Sequence, residues 1–194
     1  AWHFPRISPD MSCLSLACGI AVVRALEQLG VEGVSIKWPN DLMWQDRKLA
    51  GLLVEMRSDG SGSGYVIIGL GLNLDLGTLA GEISTGWGGA PVDLAAVVPD
   101  RVPGRNALAA AVLNSLTDIL LAFSESGFAG LHEQWQRLDG LKGRQVKVQN
   151  EAGVLLGTVL GVDDSGALRL MMDGEEVQCV AGEVSVRPVD AIAD

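Results

Sequence analysis

Lys37, Asn40, Asp41 and Lys48 fall in one short stretch, "IKWPNDLMWQDRKLAGLLVE", residues 36 to 55. An asparagine amide both donates to and accepts from the edge of a base, and an aspartate accepts hydrogen bonds or a proton. A lysine and an aspartate converging on a cleft suit phosphate chemistry: the ammonium stabilises anionic charge, and the carboxylate orients or deprotonates. Ala50-Gly51 leaves room for a ligand against the backbone. A plainer account stays open beside this one. Asn40-Asp41 also reads as an Asx-type turn, and Lys48 as a solvated hairpin lysine, because these residue types dominate turns.

The elements that must position these residues can be read from periodicity. Pro39 fixes its own backbone and keeps Trp38 extended, so Asn40 and Asp41 project from a strand end. The spacing predicts a helix over Ser12–Leu29, stopped by Gly30, and a strand over Val34–Trp38. Leu49–Arg57 and Tyr65–Leu74 read as two strands of a hairpin around the Gly/Ser run at 59–64. That run lacks the Lys-Ser/Thr and the following helix of a phosphate loop, so it is read as a turn. Residues 77–104 form a long Gly- and Pro-rich connection with Trp87 among small residues, and long loops often carry function. Asn106–Ser124 reads as an amphipathic helix and Phe128–Leu138 as a shorter one. After Gly140, valines alternate with polar residues through about five short strands, the texture of a small barrel.

Composition bounds the function. The chain has 194 residues, 48% hydrophobic and 20% charged, with a formal net charge of −10. That is the profile of a globular protein. No basic stripe is present, which disfavours binding through a nucleic-acid backbone. Cys13, Cys18 and Cys179 read as thiols in a reducing cytoplasm. His3 and His132 lack partners at ligand spacing, so no metal site is expected in the protein itself. The polar residues Asn114, Ser115, Thr117 and Asp118 within the most apolar helix argue against a membrane span. The first methionine is Met11, and Ala1 opens in strand-like sequence, which suggests that an N-terminal part is missing.

Taken as a string, Lys37-Trp38-Pro39-Asn40-Asp41 followed by Arg47-Lys48-Leu49-Ala50-Gly51-Leu52-Leu53 and Glu55 resembles the signature of biotin protein ligases. "IIGLGLNL", with Gly69, Gly71 and Asn73, and "AGEVSVR" near the end resemble two further motifs of that family, in the same order. The resemblance implies an α+β fold of the class II aminoacyl-tRNA synthetase-like, biotin/lipoate ligase type. A mixed sheet would pack against helices in a catalytic domain over residues 1–140, with a small SH3-like barrel over 141–190. It implies ATP-dependent conversion of biotin to biotinyl-5′-AMP, with magnesium on the phosphates. Biotin then passes to a lysine of a biotin carboxyl carrier protein, such as the carrier domain of acetyl-CoA carboxylase.

Site roles carry over by the same resemblance. Lys48 and Asp41 would be catalytic. Lys48, Gly51, Leu53, Gly69, Gly71 and Leu72 would line the biotin site. Lys37, Asn40, Asn73, Trp87, Glu183 and Arg187 would serve ATP. For Trp87 a loop anchor competes with this role, for Glu183 a surface ion pair, and for Lys37 an edge-strand lysine. The family's Ser/Thr-containing biotin segment, its basic Gly-Arg-rich loop and the DNA-binding helix-turn-helix of its repressor members are not found in these residues. The expectation is therefore an N-terminally incomplete ligase with no DNA or membrane partner, and the resemblance allows a homodimer. Two other readings stay open: a non-catalytic ligand- or partner-binding module, and a lipoate ligase relative.

Overall fold

A computed structural model describes residues 1–194 apart from 59, 61, 82, 84–88, 151, 152, 182–184 and 190–194. The first sheet contains β1 (Trp2–Phe4), β2 (Val34–Lys37), β3 (Asp41–Trp44), β4 (Arg47–Ser58) and β5 (Gly64–Leu72) in the order β1-β5-β4-β3-β2. Every pairing in it is antiparallel. The mixed sheet expected from the sequence is corrected accordingly; its parallel element is the isolated bridge Ile36–Asp139. The connections explain this, since β2 to β5 follow one another through short turns that reverse the chain. Gln45 and Asp46, both at positive φ, make the two-residue turn between β3 and β4. The β3 strand is not among the elements expected from periodicity, where Asp41 belongs to a turn and Leu42–Trp44 are given no element.

Helix α1 (Leu14–Gln28) lies between this sheet and α3 (Arg105–Ser126). It follows a 3-10 turn at Pro9–Cys13, and its apolar residues from Leu14 to Leu26 are almost entirely buried. At Gly19 a Cβ would sit 3.1 Å from Ile36 Cδ1, so glycine lets the helix lie close on β2. Each fully buried Leu, Ile or Val there contributes roughly 1.5–3 kcal/mol. Helix α3 is long and apolar enough to span a membrane by length and composition alone, and it buries Leu108, Val112, Ile119, Leu120 and Phe123. A one-turn helix α2 (Leu94–Val97) is capped by Asp93, whose carboxylate accepts from Ala96 N at 2.8 Å and Leu76 N at 2.7 Å.

Helix α4 (His132–Leu138) leads into the second sheet. Gly140 N donates to Ile36 O at 2.9 Å, so the connecting chain is still tied to β2 at that point. The second sheet contains β6 (Gln145–Asn150), β7 (Gly153–Val162), β8 (Leu168–Met172), β9 (Glu175–Cys179) and β10 (Ser185–Pro188), in the order β10-β6-β7-β8-β9, again antiparallel. Val146, Val148, Val159, Leu168 and Leu170 form its buried side.

Candidate active site

One line of residues crosses the first sheet: Lys37 pairs with Asp41, Asp41 with Gly51, and Gly51 with Gly71. Lys37 Nζ donates to Asp41 Oδ2 at 2.9 Å, and Lys48 Nζ lies 2.5 Å from Asp41 Oδ1. The carboxylate is therefore held between two ammonium groups. Strand alternation alone does not bring Lys48 there, because residues 48 and 51 of a regular strand face opposite sides. The β3–β4 register shifts between Leu42, opposite Ala50, and Met43, opposite Lys48, leaving Leu49 as an extra residue. Leu49 and Ala50 are both buried in succession, and this bulge turns Lys48 onto the face of Gly51.

The backbone at Lys48 is pinned from behind. Asn73 Nδ2 donates to Lys48 O at 3.3 Å and to Val92 O at 3.0 Å, and Val92 N donates to Lys48 O at 2.9 Å. Arg47 reaches across to Ala90 O and Pro91 O at 3.1 and 2.6 Å. These positioning roles of Arg47 and Asn73 were not evident in the sequence, where no signal links residue 47 to residues 90–91. Asn40 makes a two-point clasp with Leu52: its Nδ2 donates to Leu52 O at 2.7 Å, and Leu52 N donates to Asn40 O at 2.9 Å. These bonds use one Nδ2 hydrogen of Asn40 and both of Asn73, and they engage neither side-chain oxygen.

Beside the lysines the sheet face carries Gly51, Gly69 and Gly71, with Leu53 63% exposed opposite Gly69. A Cβ at Gly69 would come no closer than 3.7 Å to Leu53 O, and one at Gly71 no closer than 3.9 Å to Gly51 O. Neither glycine has a positive φ. The fold therefore does not require glycine at 69 or 71; what the missing side chains provide is an open trough above the backbone. At Gly51 the nearest atoms to a Cβ would be Lys48 Nζ at 3.2 Å and Cε at 3.3 Å, so glycine also gives the ammonium its space. Leu72 is not part of this trough. It pairs with buried Ala50 and lines a cavity of about 280 Å³ with Leu70, Leu74 and Leu108 on the α3 side, because adjacent strand residues face opposite ways. The biotin-lining role expected for Leu72 is corrected on that ground.

Around the sheet edge a groove of about 320 Å³ joins Ser12, Ser15, Pro39, Asn40, Leu53 and Ala181. Arg187 lies exposed in β10 opposite Lys147, on the second sheet. Trp87 and Glu183 lie outside the described residues. The cysteines are buried, and burial pushes the Cys13 thiol up to about 11 and the Cys18 thiol up to about 12, which makes both poor nucleophiles.

Burial alone would raise the Asp41 carboxyl, but Lys37 and Lys48 outweigh it and hold the group below the ordinary carboxylate value of 3.8. Asp41 is thus ionised at neutral pH and a weak proton acceptor, and it is ion-paired with both lysines. The stabilisation it contributes is complete above its unfolded value, about 3.9, and is lost as pH falls through the lower folded value. We predict that Asp41→Asn costs most stability near neutral pH and that the gap to the unsubstituted protein closes below about pH 4. Urea unfolding across that range measures it. A gap constant with pH would mean that the carboxylate charge contributes nothing.

Lys37 and Lys48 on one carboxylate, beside a sheet face that carries Gly51, Gly69, Gly71 and the exposed Leu53, make a cationic trough of a kind that suits a small anion. Two family models match the chain: residues 6–73 match the Biotin/lipoate A/B protein ligase family and residues 142–187 the Biotin protein ligase C terminal domain. The chain belongs to the biotin protein ligase family. It is 35% identical over 178 residues to the bifunctional ligase/repressor BirA of Escherichia coli strain K12, covering 91% of this chain and 54% of that protein. It is 30% identical over 175 residues to the biotin–[acetyl-CoA-carboxylase] ligase of Mycobacterium tuberculosis, covering 88% of this chain and 61% of that one. The chain thus spans a little over half the length of these relatives. In fold it matches the apo biotin protein ligase of Aquifex aeolicus, with a TM-score of 0.78 at 24% identity, over 92% of this chain and 76% of that one. The same enzyme in complex with biotin and ATP aligns with a TM-score of 0.76 at 24% identity, over 95% of this chain and 73% of that one.

Proposed function

We propose that this protein is a biotin protein ligase that activates biotin with ATP and transfers it to a carrier-protein lysine. The observation that carries this reading is the bulge that aims Lys48 over the glycine trough, beside Asp41 and Lys37. A biotin carboxylate oxygen attacks the α-phosphorus of ATP, and the bond to pyrophosphate breaks. Two anions must meet for this, and fixed ammonium groups offset their repulsion. The amine of the acceptor lysine then attacks the acyl carbon of the adenylate and AMP leaves. The adenylate is an anhydride, so water must be kept from it until the acceptor arrives.

In this reading Gly51, Leu53, Gly69 and Gly71 hold biotin. Lys37 meets the phosphates, while Asn40 and Asn73 accept from the adenine amine through their side-chain oxygens. Trp87, Glu183 and Arg187 complete the nucleotide side. Among the described residues there is no group of three or more His, Cys, Asp or Glu side chains that could hold a metal ion. Magnesium would enter on the ATP phosphates, the usual mode for a small cation that keeps most of its waters. The C-terminal family model supports biotin over lipoate as substrate.

The proposal extends to organisation. Residues 1–140 form the catalytic domain, of class II synthetase-like type, and the sheet of residues 141–190 closes as an SH3-like barrel. The break falls after Gly140, the last of the linker residues tied to β2. The acceptor is a biotin carboxyl carrier protein, the compartment is the cytoplasm, and the partners include neither DNA nor membrane; self-association as a homodimer belongs to the same reading. The net charge of −10 supports the exclusion of a phosphate backbone.

Biotin-dependent exchange of pyrophosphate into ATP, followed by labelling of a carrier domain, tests the function; binding of biotin without exchange would make this a binding module. A second expectation concerns the trough. Gly71→Val should leave unfolding stability nearly unchanged, since a Cβ there meets only ordinary contacts. Biotin affinity should fall by about tenfold to a hundredfold, the cost of crowding a filled site. Calorimetric titration measures it, and unchanged affinity would remove the trough from the biotin site.

A further inference from the structure

The β7–β8 loop, Asp163 to Gly166, turns three successive carbonyls toward the first sheet and its helices. Asp164 O accepts from Cys13 Sγ at 3.7 Å, Ser165 O from Ser12 Oγ at 2.9 Å, and Gly166 O from Trp38 Nε1 at 2.9 Å. His132 Nδ1 lies 3.1 Å from Asp164 Oδ1 at the outer end of the same contact. The loop is also braced internally: Asp163 Oδ1 accepts from Ser165 N, Ser165 Oγ and Ala167 N at 2.7–3.0 Å. Its fit is close. Gly166 has φ +77°, and a Cβ on it would sit 2.9 Å from Cys13 Sγ and 3.3 Å from Leu16 Cδ1.

These donors adjoin the groove that runs past Asn40. Ser12 lines it directly, Trp38 immediately precedes its Pro39 and Asn40, and Ala181, in the segment that follows β9, also lines it. Trp38 is fully buried, so its indole takes no part in binding; its effect passes through the backbone to the next two residues. We propose that Trp38 and Gly166 are positioning residues, and that the β7–β8 loop sets the width of this groove at its Asn40 end, the end the ligase reading gives to the nucleotide, by fixing the second sheet against Ser12 and Trp38. The inference rests on the ligase reading for what the groove binds, but the mechanical coupling stands without it.

The test compares Trp38→Phe, which keeps a buried ring and removes the donor, with Gly166→Ala. Gly174→Ala is the control: Gly174 has φ +89° in the turn between β8 and β9, and a Cβ there meets nothing within 4 Å. It carries the backbone strain without the clash across the contact. Two readouts are taken, amide hydrogen exchange and the Michaelis constants of pyrophosphate exchange. Both test variants should speed exchange about tenfold at residues 12–16 and 163–167 together, the opening expected for one lost buried hydrogen bond. Both should raise KM for ATP about tenfold, with KM for biotin and kcat changed less than about twofold. The control should do neither. Exchange confined to the substituted segment would overturn the coupling, whatever the activity. Faster exchange in both segments with equal changes in KM for ATP and biotin, or none, would overturn the positioning role. If the unsubstituted protein performs no pyrophosphate exchange, the ligase reading fails while hydrogen exchange still decides the coupling. Should Gly166→Ala fail to fold, Trp38→Phe carries both readouts alone.

Discussion

Replacing Lys48 with alanine is expected to slow adenylate formation by about 30- to 1000-fold, because a fixed charge on a transferring phosphate is worth about 2–4 kcal/mol of barrier. The fold should barely register the change. The Lys48 side chain is 38% exposed, and Asp41 keeps Lys37 as a partner at 2.9 Å, so no buried charge is left alone. The substitution also leaves the pinning of the backbone intact, since Asn73 and Val92 bond to the carbonyl of residue 48 and not to its side chain. The loss should therefore fall on kcat/KM of pyrophosphate exchange, with a melting temperature close to that of the unsubstituted protein. Lys48→Arg provides a sharper comparison. It restores the charge, but the guanidinium presents its donors in a fixed planar fork where the ammonium is a compact point charge, so rescue should be incomplete. Near-normal exchange in a stably folded Lys48→Ala protein would reduce the lysine to a turn residue.

Trp38→Ala is expected to cost about 3–5 kcal/mol of folding stability, the usual loss for truncating a fully buried large aromatic side chain. The indole is 0% exposed, and its nitrogen donates to Gly166 O across 128 positions of sequence. Truncation opens a cavity beneath the β2–β3 turn and leaves a buried carbonyl without its donor. Against a total of about 5–15 kcal/mol for a typical protein, that is a large fraction. For a chain of this size it corresponds to a melting temperature lower by about 6–20 °C. Urea unfolding of the two proteins measures it. A loss below about 1 kcal/mol would mean that the indole is not an anchor of the fold.

The two tryptophan substitutions are read together. Trp38→Phe tests the hydrogen bond and what it positions, whereas Trp38→Ala tests the packing. A site that loses ATP affinity only when the protein is globally destabilised would owe nothing to the loop contact.

Much of this protein is determined by local sequence. Gly30, at positive φ, follows α1 where the apolar period stops, and the polar pairs Gln45-Asp46 and Asp173-Gly174 mark their hairpins, because turn conformations depend on the few residues that adopt them. The opening string also places Lys37, Asn40, Asp41 and Lys48 near one another, since a short hairpin leaves them nowhere else to go. What the string does not determine is the direction in which Lys48 points. By alternation alone it faces away from Gly51; only the extra residue in β4, measured against the register of β3, turns it onto the trough. Leu72 failed as a lining residue for the same kind of reason: which face of β5 is covered depends on where α3 packs. Asn73 and Arg47 find backbone partners on residues 90–92, and Trp38 finds Gly166, through contacts between segments far apart in the chain. Turn chemistry and helix period are properties of neighbours along the chain, whereas register, face and docking are properties of a strand's partners, and only the folded chain supplies those.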